Sequence, residues 1–313
     1  MEWIVHIGTE KTGSKAIQGF LANEPHRITG RTFCFPRSGR AGGWHRPIHD
    51  ELLNGQTNLL EAAIQEGIKS SADLGILTYE GLYSLTEPQI ELMHKSLGTA
   101  KIILFIRRQD QLTNSRYNQV FKSHRRSYEQ IVEFESSMLG YRPDFDHMKT
   151  LQKWGAVFRI ENLVPIIYDK SKNAIEQLLD SIGLYADFDN YQFRNPNPAI
   201  DPEGLSILRA VKQQNTDSAF LPDLISAAHS ILVRHFVDTY ATGEDQYLFS
   251  MSEREAIYRH YLDSNEQVRQ LFFSNRDCLF PPLEPGDACR TDLPANQAIV
   301  RTIFKRARRS NSV

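Results

Sequence analysis

The sequence predicts an α/β fold: a central parallel sheet flanked by helices, with a helical C-terminal part. Three observations carry this. Short apolar runs that suit buried strands alternate with amphipathic helical stretches. One run, KIILFI at Lys101–Ile106, is apolar without alternation, the pattern of a central parallel strand covered on both faces. The first strand leads through a Gly, Thr and Lys loop straight into a helix, which places ligand-binding backbone at the carboxyl end of the sheet.

The elements follow in order. The segment IVHIGTEKTGSKAIQGFL, Ile4–Leu21, reads as strand, loop and helix; from about Ser14 to Ala22 the helix carries Ile17, Phe20 and Leu21 on one face. A short strand at Thr32–Phe35 gives way to a loop rich in Gly, Arg and His, in which His45 and His49 stand four apart. A helix is predicted over Leu59–Lys69, a buried strand over LGILT at Leu74–Thr78, and a helix over Pro88–Leu97 ahead of KIILFI. Beyond lie a helix from Glu129 to Leu139, another through Trp154, a strand at Val164–Tyr168 and its helix at Asn173–Ile182, closed by Gly183. Asn195–Pro202 is a loop, after which helices are predicted over Glu203–Gln214, Leu221–Thr239 and Ser252–Phe273. The organisation expected is one domain over residues 1–285, with a helical lobe at about 200–280, and a basic tail over 286–313. In that tail Lys305, Arg306, Arg308 and Arg309 cluster; the plainer reading is a solvated charge run, the alternative peripheral contact with an anionic lipid or glycan.

Composition bounds the function. In 313 residues, 41% apolar and 24% charged residues are ordinary for a globular chain. A formal charge of −2 gives no global attraction to nucleic acid, so any anion site must be local. The three cysteines, Cys34, Cys278 and Cys289, are odd in number and lack a CxxC pair, which argues against a disulfide framework or a zinc site. No run reaches the roughly 18 apolar residues of a membrane span, and the amino terminus enters a strand without a leader. A cytoplasmic location is the expectation.

The loop after the first strand is the chemical focus. Gly8 and Gly13 let the backbone turn and present N–H groups, the following helix points its positive end there, and Lys11, Thr12 and Ser14 add a charge and two hydroxyls. An anion suits such a loop; the plainer reading is a strand-to-helix turn with a solvated lysine. Gly8 and Gly13 have the spacing of the nucleotide-triphosphate loop GxxxxGK[ST], but Ser14 stands where its Lys belongs, Lys15 comes one late, and Ala16 replaces the magnesium-binding hydroxyl. Glu80, just past LGILT, is either a carboxylate placed to act or a helix cap. Arg107 ends KIILFI, and Ser115 follows eight residues later.

These segments resemble the sulfotransferases that use 3′-phosphoadenylyl sulfate (PAPS), in particular the bacterial carbohydrate-sulfotransferase-like branch. Their first motif, GxxKTGTTxxQ after a strand, appears as GTEKTGSKAIQ at Gly8–Gln18. Their Arg-then-Ser motif appears as RRQDQLTNSRY at Arg107–Tyr117, and their strand-final carboxylate as TYE at Thr78–Glu80. Ser264–Pro282 resembles their closing segment, so the likeness runs from Trp3 to about Pro282. Lys15 stands where the family usually has a second Thr, and Gln109 where it often has Pro.

The resemblance implies a P-loop-like (nucleotide-kinase-like) fold, PAPS as donor, adenosine 3′,5′-bisphosphate (PAP) as product, and no metal. It assigns Thr9, Glu10, Lys11, Thr12, Gly13, Ser14, Lys15 and Ala16 to the 5′-phosphosulfate, and Arg107 and Ser115 to the 3′-phosphate. Lys11 is the expected catalytic cation. Glu80 is the first candidate for the base, with His45 and His49 after it. Basic and aromatic residues, among them Arg37, Arg40, Trp44, Tyr117, Lys122, Arg125 and Arg126, suit a carbohydrate or glycolipid acceptor. The rival readings are a small-molecule kinase, which lacks its loop lysine and metal ligand here, and a non-catalytic nucleotide-binding protein.

Overall fold

A computed structural model describes residues 1–192, 198–215, 217, 219–237, 248–283 and 294–310. Cys289, the first part of the loop at Asn195–Pro202 and the end of the helix predicted over Leu221–Thr239 lie outside the described residues. The chain divides into two compact units, one of Met1–Arg107, Pro143–Pro196 and Ser264–Leu279, the other of Arg108–Arg142, Asn197–Asp263 and Phe280–Val313.

The first unit is built on five parallel strands. In chain order the elements that build it are β1 (Glu2–Gly8), α1 (Ser14–Asn23), β2 (Ile28–Gly30), β3 (Phe33–Cys34), α2 (Arg46–Leu53), α3 (Asn58–Ser70), β4 (Leu74–Thr78), α4 (Glu87–Leu97) and β5 (Ala100–Ile106). The sheet has the order β3-β4-β1-β5-β6, with β6 at Leu163–Ile167, so β1 lies between the two strands whose ends carry Glu80 and Arg107. Alternate residues of these strands face opposite layers. Ile4, Ile76, Ile103 and Phe105 form one core with Ile17, Phe20 and Leu21 of α1 and with Ile175, Leu178 and Leu179, which belong to the helix Ala174–Ser181. On the opposite face Trp3 lies so close over Gly75 that a Cβ there would sit 2.5 Å from its ring, and Gly67 of α3 receives the same indole. These two glycines make room for an indole inside the layer between sheet and helix.

Local signals placed most of these elements. Thr86 caps α4 in a capping box with Gln89, and Asn173 caps Ala174–Ser181 by accepting from the Ile175 N–H at 2.9 Å. That helix ends at Gly183, whose φ of 70° suits a residue without a side chain. A small antiparallel pair, β2 with Leu184–Ala186, lies apart from the main sheet.

The second unit is mainly helical. Among the described residues its α-helices are Gln109–Lys122, Tyr128–Ser137, Pro202–Gln214, Leu221–Ile231, Met251–Arg259 and Gln297–Ser310, packed around Phe121, Ile131, Leu208, Val211, Leu224, Ala228, Val300 and Ile303. Two predicted helices differ from what forms. The one expected to reach Thr239 stops at Ile231, because Phe236 and Val237 leave it to pair antiparallel with Ala199–Ile200, while Asp201 takes His235 Nδ1 at 3.0 Å. The one expected over Ser252–Phe273 is two helices, Met251–Arg259 and Leu262–Phe272. Between them Tyr261 is fully buried, and its hydroxyl accepts from the Arg142 N–H at 2.8 Å. The basic C-terminal stretch forms the helix Gln297–Ser310, with Val300, Ile303 and Ala307 buried at helical spacing and Arg301, Lys305, Arg306, Arg308 and Arg309 exposed. No described helix is long and apolar enough to cross a membrane.

Candidate functional site

The loop after β1 is shaped by its neighbours. Gly8, at φ 118°, passes so near Glu80 that a Cβ would meet the Glu80 carbonyl oxygen at 2.9 Å. The Thr9 N–H and hydroxyl both donate to the Phe105 carbonyl, each at 3.1 Å, which tethers the loop to β5. Lys11 and Gly13 take left-handed backbone at φ 67° and 83°. Successive N–H groups curled in this way form a concave cradle suited to an anion. Helix α1 starts without a side-chain cap; the Ala16 N–H donates to the Gly13 carbonyl at 2.9 Å, which leaves the Ser14 and Lys15 N–H groups as its forward donors. The hydroxyls of Thr12 and Ser14 instead donate to the Thr9 carbonyl at 2.7 and 3.3 Å, where they brace the loop from inside. Glu10, Lys15 and Ala16 complete it, with Lys15 exposed.

Two cations meet here. Arg107, at the end of β5 and 7% exposed, donates from Nη1 to the Lys11 carbonyl at 2.9 Å and lies 5.4 Å from the centre of the Tyr168 ring. Its Nε is buried without a partner. Its own carbonyl accepts from Nε2 of His147 at 2.8 Å, and burial pushes the His147 pKa down to about 4, which keeps that ring neutral and a donor. Burial, then the charges of Lys15 and Arg107, push Lys11 down to about 7, with Glu80 acting in the opposite sense. Ser115 lies on the helix Gln109–Lys122 in the second unit and is half-buried.

Glu80 opens the short 3₁₀ turn Glu80–Ser84 directly after β4. Its Oε2 accepts from Nε2 of Gln18 at 2.7 Å, which fastens the carboxylate to α1 and beside the loop. His45 is otherwise committed: Nε2 donates to the Pro36 carbonyl at 3.1 Å and Nδ1 accepts from the Thr78 N–H at 3.2 Å. With both nitrogens used, 1% exposure and a pKa pushed by burial to about 4, His45 has no lone pair to offer a substrate. The ring thus clasps its loop to β4 through both nitrogens, and of the three expected bases it is the one whose nitrogens are both on backbone. His49 keeps Nδ1 on Asp50 at 3.1 Å and packs edge-on against Tyr79, while Nε2 is buried without a partner.

Some of the arrangement was not foreseen. Gln18 as the holder of Glu80 and His147 as the holder of the Arg107 backbone are long-range contacts without a local signal. In the second unit Asp110, fully buried, takes Arg108 at 2.7 Å and Arg254 at 3.1 Å, and Arg108 also donates to the carbonyls of Pro281 and Pro282 at 3.0 and 3.2 Å. Among the described residues no group of three or more His, Cys, Asp and Glu is placed to hold a metal ion. No protein-family model matches the chain, and no curated protein matches it.

Proposed function

We propose that this chain is a P-loop-like sulfotransferase that moves the sulfuryl group of PAPS to a hydroxyl of a carbohydrate or glycolipid acceptor. The reading rests on the resemblance of Gly8–Gln18 and Arg107–Tyr117 to that family's donor motifs. The observation that carries it is the hydrogen bond from the Arg107 guanidinium to the Lys11 carbonyl, which brings a buried arginine at the end of β5 to the loop that carries the half-buried Lys11 ahead of an uncapped helix start. Such a site favours a ligand with several negative charges.

The chemistry asked of the residues is modest, because transfer of this kind depends on positioning and charge. The N–H groups of the loop hold the 5′-phosphosulfate and Arg107 holds the 3′-phosphate. The acceptor oxygen attacks sulfur in line. As its bond to sulfur forms, the bond from sulfur to the bridging phosphate oxygen breaks, and PAP departs with that electron pair. Lys11, recharged by the donor's anions, balances the charge on the leaving oxygen. The acceptor proton passes to the Glu80 carboxylate, which Gln18 aims.

Incubating the protein with PAPS and a glycan panel tests this, with sulfated product followed by mass spectrometry. Transfer is expected for the native chain and lost in Lys11→Ala. PAPS left intact with every acceptor, by a protein that binds PAP, moves the chain to the non-catalytic reading.

A further inference from the structure

A pocket of about 250 Å³ opens beside the donor loop, between α1 and the segment Gly39–His45. From α1 it takes Lys15, Gln18, Gly19, Ala22 and Asn23, one helical stripe with small residues in the middle and polar ones at the ends. Arg40 and Trp44 line it from the loop.

The loop is firmly held. The Glu66 carboxylate accepts from the N–H groups of Arg37 and Ser38 at 2.9 and 2.8 Å, Ala41 and Trp44 exchange backbone hydrogen bonds at 2.9 and 3.4 Å, and His45 is clasped to β4. Gly43 rests on α1 so closely that a Cβ would sit 3.0 Å from the Gln18 carbonyl oxygen. Among the described residues neither Lys15 nor Arg40 has a carboxylate ion-pair partner. The carboxylate that Arg40 feels, Glu66, has both oxygens on backbone N–H groups. Two cations without a carboxylate partner, Arg40 lying 4.9 Å over the centre of the Phe35 ring, and an exposed indole thus share a pocket whose wall includes Gln18, the side chain that holds Glu80.

We propose that this pocket is the acceptor subsite and that it takes a uronic acid, a sugar ring whose carboxylate meets Lys15 and Arg40 while its C–H face lies on Trp44. The inference rests on the sulfotransferase reading and gives Lys15 a role on the acceptor rather than on the donor. The volume falls below the roughly 300–1,000 Å³ of sites for drug-sized ligands, which suits one ring. A carboxylate, unlike a hydroxyl, gains charge-assisted hydrogen bonds from both cations, and the planar Arg40 guanidinium can take it bidentately. The aromatic face selects an apolar surface, which a sugar ring has and a free phosphate lacks.

The test uses Trp44 as reporter, since Trp3 and Trp154 are 5% and 0% exposed and the quencher acrylamide reaches Trp44 first. Methyl glucuronide, methyl glucoside and inorganic phosphate are titrated against the full chain. Protection by the glucuronide is expected at a Kd at least about tenfold below that of the glucoside, with Lys15→Ala and Arg40→Ala each weakening it about tenfold. Gly19→Leu is the control for folding: no heavy atom lies within 4 Å of a Cβ there, and a helix-interior glycine is replaced by a better helix former. It should fold, keep its thermal shift with PAP, and lose glucuronide protection. Equal Kd values for glucuronide and glucoside, no protection at all, full displacement by phosphate at equal concentration, or unchanged binding in Lys15→Ala and Arg40→Ala overturns the proposal. The PAP shift in the same samples judges the donor separately: its absence beside charge-dependent glucuronide binding removes the transferase reading and supports the uronate pocket.

Discussion

Lys11 should make the ligand-free protein gain stability as pH rises. Its ammonium is held down to about 7 by burial and by the charges of Lys15 and Arg107, against an ordinary value of 10.5. Below pH 7 the folded chain therefore carries a lysine charge it disfavours, and the penalty is fully present. Between pH 7 and about 10.5 the folded form has released that proton and the unfolded form has not, so stability rises with pH across this window. At about 1.4 kcal/mol per unit the ceiling is near 5 kcal/mol; with relaxation around the charge, about 2 kcal/mol is a reasonable expectation. Lys11→Met keeps the stem and removes the charge. Urea unfolding of both proteins at pH 6.5, 8 and 9.5 should show the variant more stable at pH 6.5, with the gap closing as pH rises. Two parallel pH profiles would refute the half-buried, charge-crowded lysine. PAP should act in the same direction as the substitution from the other side: its phosphates raise the Lys11 pKa, so the native protein loses the slope when PAP is bound.

Glu80→Gln should lower kcat by about a hundredfold, the usual effect of a lost general base, while the thermal midpoint holds, because an amide oxygen can still accept from Gln18. Full activity in Glu80→Gln together with loss in His49→Ala would move the base to His49. His45→Ala should cost about 2–4 kcal/mol, since it strands the Pro36 carbonyl and the Thr78 N–H in the interior, and should leave kcat per folded molecule largely intact. Unfolding curves beside active-site titration separate the two effects; an inactive, fully stable His45→Ala would restore the ring to catalysis.

What the sequence disclosed was local. Gly8 and Gly13 bracket a loop between an apolar strand and an amphipathic helix, and KIILFI lacks alternation, so the parallel sheet and the loop at its carboxyl end could be read directly. Contacts made across long separations could not. Gln18 reaches Glu80 over 62 positions, His147 reaches the Arg107 carbonyl over 40, and Arg254 reaches Asp110 over 144. His45 and His49 illustrate the same limit, because spacing four apart suggests a shared helical face whereas His45 stands before α2 with both nitrogens on backbone. The break at Tyr261 is likewise set by its buried hydroxyl on Arg142, a contact that helical periodicity on either side does not reveal.

The central claim is that the loop after β1 and the arginine ending β5 select a donor with both 5′- and 3′-phosphates. Equilibrium unfolding with PAP, 5′-AMP and ATP with magnesium, each at matched concentration, tests it most directly. PAP at a hundredfold excess over its Kd should stabilise the fold by about 2.7 kcal/mol, and 5′-AMP and ATP much less. Arg107→Met should bring PAP down to the level of 5′-AMP. Equal stabilisation by ATP with magnesium, or an Arg107→Met protein that still prefers PAP, would contradict the account.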